Sequence, residues 1–147
     1  MEEWKKLWRE NARGRQLFKV APEPTRKSLD LYRGTPRALS SLIIQMRTGK
    51  IGLRHFLQQR KVPGIGSGEC ECGQGLQTVS HVLYTCSRFS ELRLTFRTPD
   101  GKGRSRWTAD LRKMLSQRST AIAAAKFMMA TKLLRQFGAT SPPQHEA

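Results

Sequence analysis

The chain has 147 residues, the length of one ordinary domain, and its 27 lysines and arginines against 11 acidic residues give a net charge of +16. A charge of this size and sign indicates a polyanionic partner, most commonly nucleic acid. Three cysteines do not pair into a secreted disulfide framework, and no apolar run approaches the length of a membrane span. We therefore expect an intracellular protein, nuclear or cytoplasmic, with no membrane partner.

The N-terminal segment, residues 1–34, predicts a basic helix followed by a linker. Apolar residues recur at helical spacing over residues 2–13, and Gly14 is the expected end of that helix. The stretch 20–25 contains two prolines and is expected to connect this helix to the next element.

Residues 35–97 are expected to form a helical core. Thr35 as N-cap and Pro36 at the first helical position predict the start of a helix, and Gly49 predicts its end. A second, shorter helix should follow a tight turn and pack against the first. The apolar residues expected at this contact are Leu39, Leu42, Ile43 and Met46 in the first helix and Leu53, Phe56 and Leu57 in the second.

Cys70, Cys72, His81 and Cys86 form the most informative pattern, C-x-C-x8-H-x4-C, which uses every cysteine of the chain. Three thiolates and one imidazole are the ligand set of a closed tetrahedral zinc site, so we expect one Zn²⁺ as cofactor. The glycine-rich sequence around the first two cysteines predicts a knuckle with at most a short β-hairpin. Thr78 is the expected cap of a helix that carries the other two ligands and extends the core with Val82, Leu83 and Phe89.

Other interpretations of these residues are weaker. His55 is an alternative ligand, but it precedes a glycine loop and is expected on a helix surface, and His145 lies near the end of the chain. A cysteine nucleophile needs a base held by a third group, and no such group is evident. The acidic residues are scattered, with no cluster typical of a metal-dependent nuclease or polymerase, so we do not expect an enzyme.

The C-terminal part, residues 98–139, predicts two further basic helices. Thr108 is the candidate cap of the first, and Ser119 or Thr120 is the candidate cap of the second, which is rich in alanine and methionine. Residues 140–147 are expected to be disordered. The predicted fold is therefore mainly α, a small helical domain clipped by a zinc knuckle.

The positive charge is concentrated on either side of the knuckle. Residues 1–61 carry a net charge of +10 and residues 93–147 of +8, whereas residues 62–92 carry one basic and three acidic residues, a net charge of −2. We therefore interpret the knuckle as a structural clip and expect its flanks to contact phosphates. The candidate nucleic-acid-binding residues are Arg47, Lys50, Arg54, Arg60, Lys61, Arg104 and Arg106. Trp107 is a possible base-stacking residue, although a core position is the favoured interpretation.

Residues 41–89 resemble a known family. The turn 47–52 reads Arg-Thr-Gly-Lys-Ile-Gly, and the C-x-C-G pattern that follows leads into Thr-x-x-His, two apolar residues and the last cysteine. This arrangement is similar to the C-terminal tail of reverse transcriptases from non-LTR, LINE-type retrotransposons, especially fungal ones. The polymerase, endonuclease and ribonuclease H domains of that family are not part of this sequence. The resemblance therefore implies a non-catalytic accessory module that holds template RNA or target DNA.

A protein-interaction domain, in which zinc supports a helical scaffold for a partner chain, is the alternative. The Trp4 and Trp8 stripe and the final helix with Met128 and Met129 are the candidate contact surfaces. The two basic flanks favour nucleic acid as the partner.

Overall fold

The computed structural model describes residues 1–99 and 105–134, and this part of the chain is mainly helical. The α-helices are α1 (Glu2–Glu10), α2 (Arg15–Val20), α3 (Arg37–Thr48), α4 (Arg54–Gln59), α5 (Ser90–Arg97), α6 (Leu111–Ser116) and α7 (Arg118–Ala130). Short 3₁₀ helices cover Arg26–Leu31 and Ser87–Phe89, and a π-helical turn covers His81–Thr85. Among the described residues the one β pairing is an isolated antiparallel bridge between Glu69 and Leu76. The predicted mainly-α class is confirmed.

Helix α7 lies at the centre of the core, whereas the sequence predicted a basic helix outside the core segment 35–97. It packs against α3, α5, α6 and the π-helical turn. Its alanines allow these neighbours to approach closely, and Phe127 is fully buried against the rings of Phe96 and Trp107, with centroids at 5.5 and 5.3 Å. Edge-to-face contacts of this kind add to the free energy gained by burial. The α7 residues with no exposed surface are Ala121, Ala124, Ala125, Phe127 and Met128.

Helix α3 contributes its expected apolar face to this core, but its main helical partner is α7, not α4. Leu42 and Ile43 are fully buried. Of the second predicted helix, only Leu53 is buried, while Phe56 and Leu57 are half-exposed and lie outside the main hydrophobic cluster. The predicted pairing of these two helices is therefore wrong for Phe56 and Leu57. The α4 helix has 6 residues, none of them buried, and sits at the edge of the core.

The ends of α3 are set by backbone conformation. The helix begins after Pro36, one residue later than predicted, and the Thr35 side chain does not cap it. Its C-cap is Gly49, as expected, in the left-handed region at φ +72°. A Cβ added to Gly49 would lie 2.9 Å from Cγ of Gln16, so glycine is required here both by the turn and by the close approach of α2.

The N-terminal segment contains more structure than its sequence predicted. Helix α1 ends at Glu10, and Gly14, with φ +72°, precedes the unpredicted helix α2. Val20 at the end of α2 is buried, so the expected linker begins after it and is followed by a 3₁₀ helix. The indole N–H of Trp8 donates to the carbonyl of Ala21 at 3.0 Å, which attaches α1 to this linker.

The two C-terminal caps also differ from prediction. The Asp110 carboxylate, not Thr108, caps α6 by accepting from the backbone N–H groups of Arg112 and Lys113. Helix α7 follows Gln117 without a side-chain cap, so neither Ser119 nor Thr120 has that role. The Thr120 hydroxyl is buried and instead donates to the carbonyl of Met114 in α6 at 2.8 Å, which joins the two helices.

One hydrophobic cluster joins the first three predicted segments, because it runs from Val20 and Leu31 through α3 and the knuckle to α7 and Leu134. The boundaries expected near residues 34 and 97 thus fall within a shared core. The predicted tail 140–147 lies outside the described residues, and no helix in the described part is long and apolar enough to cross a membrane.

Candidate metal centre

The four predicted ligands converge on one point. The ligand atoms of Cys70, Cys72, His81 and Cys86 all lie within 4.8 Å of one another. The Sγ atoms of Cys70 and Cys86 are 3.7 Å apart, and Sγ of Cys72 is 3.2 Å from Nε2 of His81. A tetrahedral zinc with metal–sulfur bonds of about 2.3 Å holds its sulfurs about 3.8 Å apart. The donor set and its spacing therefore fit a tetrahedral metal ion.

A tight reversal of the chain places the first two cysteines. The N–H of Cys70 donates to the carbonyl of Gly75 at 2.7 Å, beside the bridge between Glu69 and Leu76, and the N–H of Gly73 donates back to Cys70 at 3.0 Å. Both glycines have positive φ values, +74° and +142°, which side-chain-bearing residues rarely adopt. The C-x-C spacing thus forms a knuckle, as predicted, with a single bridge in place of a hairpin.

Two threonines hold His81 in orientation. Its backbone N–H donates to Oγ1 of Thr78 at 3.2 Å, which is the predicted cap. Its Nδ1 lies 3.0 Å from Oγ1 of Thr85, whose hydroxyl donates to the His81 carbonyl. Nδ1–H therefore donates to Thr85, and the lone pair of Nε2 faces the cysteines. Burial, with a further contribution from the charge of Arg93, lowers the pKa of His81 and favours the neutral imidazole that a metal requires.

Helical structure is interrupted at Cys86, whereas the sequence predicted one continuous helix through His81, Cys86 and Phe89. Residues His81–Thr85 form a π-helical turn, closed by the N–H of Cys86 donating to the His81 carbonyl at 2.8 Å. Cys86 itself is extended, and a 3₁₀ turn and α5 follow. The wider π turn brings Cys86 back beside Cys70, and π turns are frequent at functional sites.

Arg93 satisfies the carbonyls that this interruption leaves free. Its guanidinium donates to the carbonyls of Leu83 at 2.7 Å, Cys86 at 3.0 Å and Val82 at 3.2 Å. The residue is buried, and desolvation lowers its pKa. Buried carbonyls without a partner are costly, so Arg93 stabilises the segment that positions two of the ligands.

The thiols are electrostatically coupled. Burial, reinforced by the neighbouring thiols, raises the pKa of Cys86 to about 11. Burial also acts to raise the pKa of Cys70, but hydrogen bonds from Cys72, Gln77 and Cys86 outweigh it, and the net shift is downward. Without a cation, Cys70 therefore loses its proton more readily than Cys86. A bound divalent metal stabilises all three thiolates together.

Glu71, between the first two ligands, pairs with two arginines at the edge of the knuckle. Its Oε2 is 2.8 Å from Arg88 Nη1, and its Oε1 is 3.7 Å from Arg54 Nη1. All three side chains are partly exposed, so each pair contributes no more than about 1 kcal/mol. For Arg54 to contact phosphate, as predicted, its guanidinium must leave the ion pair with Glu71.

Arg47 is not a surface residue, which counts against its predicted contact with phosphate. It is 5% exposed, and its Nη1 donates to the carbonyl of Leu115 at the end of α6. The guanidinium fastens α3 to α6, and a single sequence does not distinguish such a buried arginine from an exposed one.

The other cationic candidates differ in their surroundings. Arg60 lies with its guanidinium carbon 5.3 Å from the centroid of the Phe56 ring. Trp107 packs against other aromatic rings of the core, which is the position that the sequence analysis favoured over base stacking. Arg104 and His145 lie outside the described residues, and His55 is not part of the cysteine cluster. The candidates that are exposed on the surface are Lys50, Arg60, Lys61 and Arg106.

Three supporting residues of the metal centre were missed by sequence reasoning. Besides Thr85 and Arg93, the buried Gln77 donates from Nε2 to Sγ of Cys70 at 3.8 Å, while its Oε1 accepts from the backbone of Arg54 at 2.9 Å. Nothing in the sequence around Gln77, Thr85 and Arg93 indicates these contacts.

Comparisons of the chain with protein-family models, with curated proteins and with solved structures gave no match. The resemblance of residues 41–89 to reverse-transcriptase tails therefore stays a prediction, and the function is argued from the geometry of the site.

Proposed function

We propose that the protein is a zinc-dependent nucleic-acid-binding module, non-catalytic by itself, of the kind that accompanies LINE-type reverse transcriptases. The observation that carries the proposal is the convergence of four metal-ligating atoms within 4.8 Å. Three sulfurs and one imidazole nitrogen in this spacing favour Zn²⁺ over the hard cations, which prefer oxygen. The bound ion supplies a structural cross-link between the C-x-C turn and the π-helical turn.

Charge supports nucleic acid as the partner. The chain has a net charge of +16, yet residues 62–92 have −2, and three thiolates with one Zn²⁺ add a further −1. The metal centre is therefore the part of the molecule that repels phosphate. Exposed cations on the flanking elements provide the attraction, and the knuckle holds these elements in place.

The zinc assignment is tested by metal analysis of the untagged protein, with a matched pair of histidine variants. We expect one Zn²⁺ per chain, lost in His81→Gln and retained in His55→Gln, because His55 lies outside the cluster. Zinc-free wild-type protein, or His81→Gln that retains zinc as tightly as wild type, contradicts the assignment.

The partner is tested by a salt titration of binding to single-stranded RNA, single-stranded DNA and duplex DNA. We expect log K to fall linearly with log salt, by about 0.9 per phosphate contact on duplex and about 0.7 on single strands. Zinc-loaded protein that binds none of the three probes at low salt excludes nucleic acid as the partner.

A protein-interaction domain remains the second candidate because of the surface around α1. Trp4 and Leu7 are 57% and 58% exposed, and α1 buries none of its residues. Trp4 and Trp8 also line a cavity of about 720 Å³ beside the 3₁₀ helix Arg26–Leu31. Exposed apolar residues next to a cavity of this size are typical of an interaction surface. This candidate becomes the better one if the salt titration shows no nucleic-acid binding.

A further inference from the structure

We infer that a single-stranded nucleic acid binds in a groove between the α3–α4 turn and residues 77–80 of the knuckle. Lys19, Lys50 and Arg60 contact its phosphates. The inference rests on the proposed function and names the part of the molecule that carries it out. We call this surface the basic groove.

The basic groove combines a buried apolar floor with a polar rim. It encloses about 440 Å³, within the range of ligand-binding clefts. Met46, Leu53 and Leu115 form part of the floor, and all are buried. None of the described residues that line the groove is acidic. A concave surface of one charge sign concentrates the electrostatic potential and attracts polyanions more strongly than scattered charges do.

Three cations on separate elements meet at this rim. Lys19 belongs to α2, Lys50 to the turn after α3, and Arg60 to the end of α4, and all three are exposed. None of the ion pairs found in residues 1–99 and 105–134 involves any of them. Cations outside any ion pair that line one groove from three separate elements are a better indication of a binding surface than a run of neighbouring charges. Lys19 was not among the residues that the sequence suggested.

The shape of the basic groove favours a single strand over a duplex. Strand-binding surfaces pair cations for the backbone with apolar or aromatic surface for unstacked bases. Phe56 lines the groove beside Arg60, so a ring and a guanidinium plane are both available to a base. A duplex keeps its bases stacked inside and would leave the partly exposed Phe56 ring without a stacking partner.

The metal centre holds one wall of the basic groove. Gln77 joins this wall both to Cys70 and to the backbone of Arg54 at the start of α4. The backbone N–H of His55 adds a bond to the Gln77 carbonyl at 3.4 Å. The zinc ion therefore acts on binding by positioning the wall, not by contacting the ligand.

The test compares two triple variants of the full, zinc-loaded chain. One replaces Lys19, Lys50 and Arg60 by glutamine. The control replaces Lys6, Arg13 and Arg26 by glutamine and so removes the same charge. These three cations are exposed, lie outside the basic groove and belong to no ion pair among the described residues. Each phosphate contact on a single strand contributes about 0.7 to the slope of log K against log salt. Loss of three contacts should therefore weaken binding by about 100-fold at 0.1 M salt. The salt slope should also become shallower by about 2, whereas the control should change affinity less than about threefold.

Oligonucleotides of RNA and of DNA serve as separate single-stranded probes, with a blunt duplex as the third. Zinc content and thermal unfolding of both triple variants show that the fold is intact. Backbone amide shifts of residues 48–51 and 77–80 on titration with the strand provide a direct readout of location. Equal losses in the two triple variants, or tighter binding of the duplex with no shift at these amides, overturn the basic groove while leaving nucleic-acid binding intact. Wild-type protein that binds no probe instead overturns the proposed function itself.

Discussion

Replacement of Arg93 by methionine is expected to destabilise the protein strongly, although arginine is ordinarily a surface residue. Its guanidinium donates to the carbonyls of Val82, Leu83 and Cys86 in a buried site. Methionine preserves the apolar stem but removes the Arg93 donors from the carbonyls of Val82 and Leu83, at a cost of about 1–3 kcal/mol each. The Cys86 carbonyl keeps the N–H of Phe89 at 3.3 Å as a donor. We therefore expect a loss of about 2–6 kcal/mol. That is a large fraction of the roughly 5–15 kcal/mol by which domains are stable.

Arg97→Met is the matched control for this change. Arg97 is one helical turn further along α5 and is exposed, so its replacement should cost less than about 0.5 kcal/mol. Denaturant unfolding of the zinc-loaded proteins measures both free energies, and competition with a chromophoric chelator measures zinc affinity. Arg93→Met should also release zinc more readily, because the Cys86 carbonyl is one of its acceptors. Stability within 1 kcal/mol of the Arg97 variant would refute the assigned role.

Three further outcomes are expected. Leu42 has no exposed surface, so Leu42→Ala should lower the free energy of unfolding by about 2–5 kcal/mol. Ile44 on the same helix is 48% exposed, so Ile44→Ala should lower it by less than about 1 kcal/mol. Similar losses at both sites would contradict the assigned core. Thr85→Val removes the acceptor of the His81 Nδ1–H and should weaken zinc binding about 10–100-fold, with the exposed Thr95→Val as control in the same chelator assay. Folding lowers the pKa of His81 below 6.5, so the unfolded chain binds the proton more readily. The free energy of unfolding should therefore fall as the pH drops below about 6.5 and should not fall between pH 7 and 8. Urea unfolding at constant zinc and several pH values measures this dependence.

The knuckle could be predicted from the sequence because its pattern is local. All four ligands lie within 17 residues, and ligand chemistry restricts which residue types can meet there. The helix end at Gly49 was predictable for the same reason, since one residue determines the backbone conformation. The interruption at Cys86 was not, because Val82 and Leu83 continue a helical apolar pattern through it. The π turn is selected by ligand convergence and by Arg93, and both act across the fold.

The central position of α7 was not predicted, because its apolar residues are numerous but do not recur on one face of the helix. A helix that is apolar nearly all round has no single buried face and is typical of the interior. The segment 121–125 contains four alanines and one isoleucine, which fits such a position. Sequence reasoning gave greater weight to the basic residues nearby. Charge counts likewise treated Arg47 as a surface cation, although its long side chain reaches a buried carbonyl.

Metal binding and core packing are coupled in this fold by the four residues between His81 and Cys86. Val82 and Leu83 are fully buried in the main hydrophobic cluster, and the residues on either side of this segment are ligands. Release of zinc frees both ends of the segment, so the two buried side chains lose their anchors. The contacts of α7 with α3 and α6 do not depend on the ligands. Loss of zinc should therefore loosen the knuckle and the adjoining wall of the basic groove first, while the α3–α6–α7 core keeps its packing.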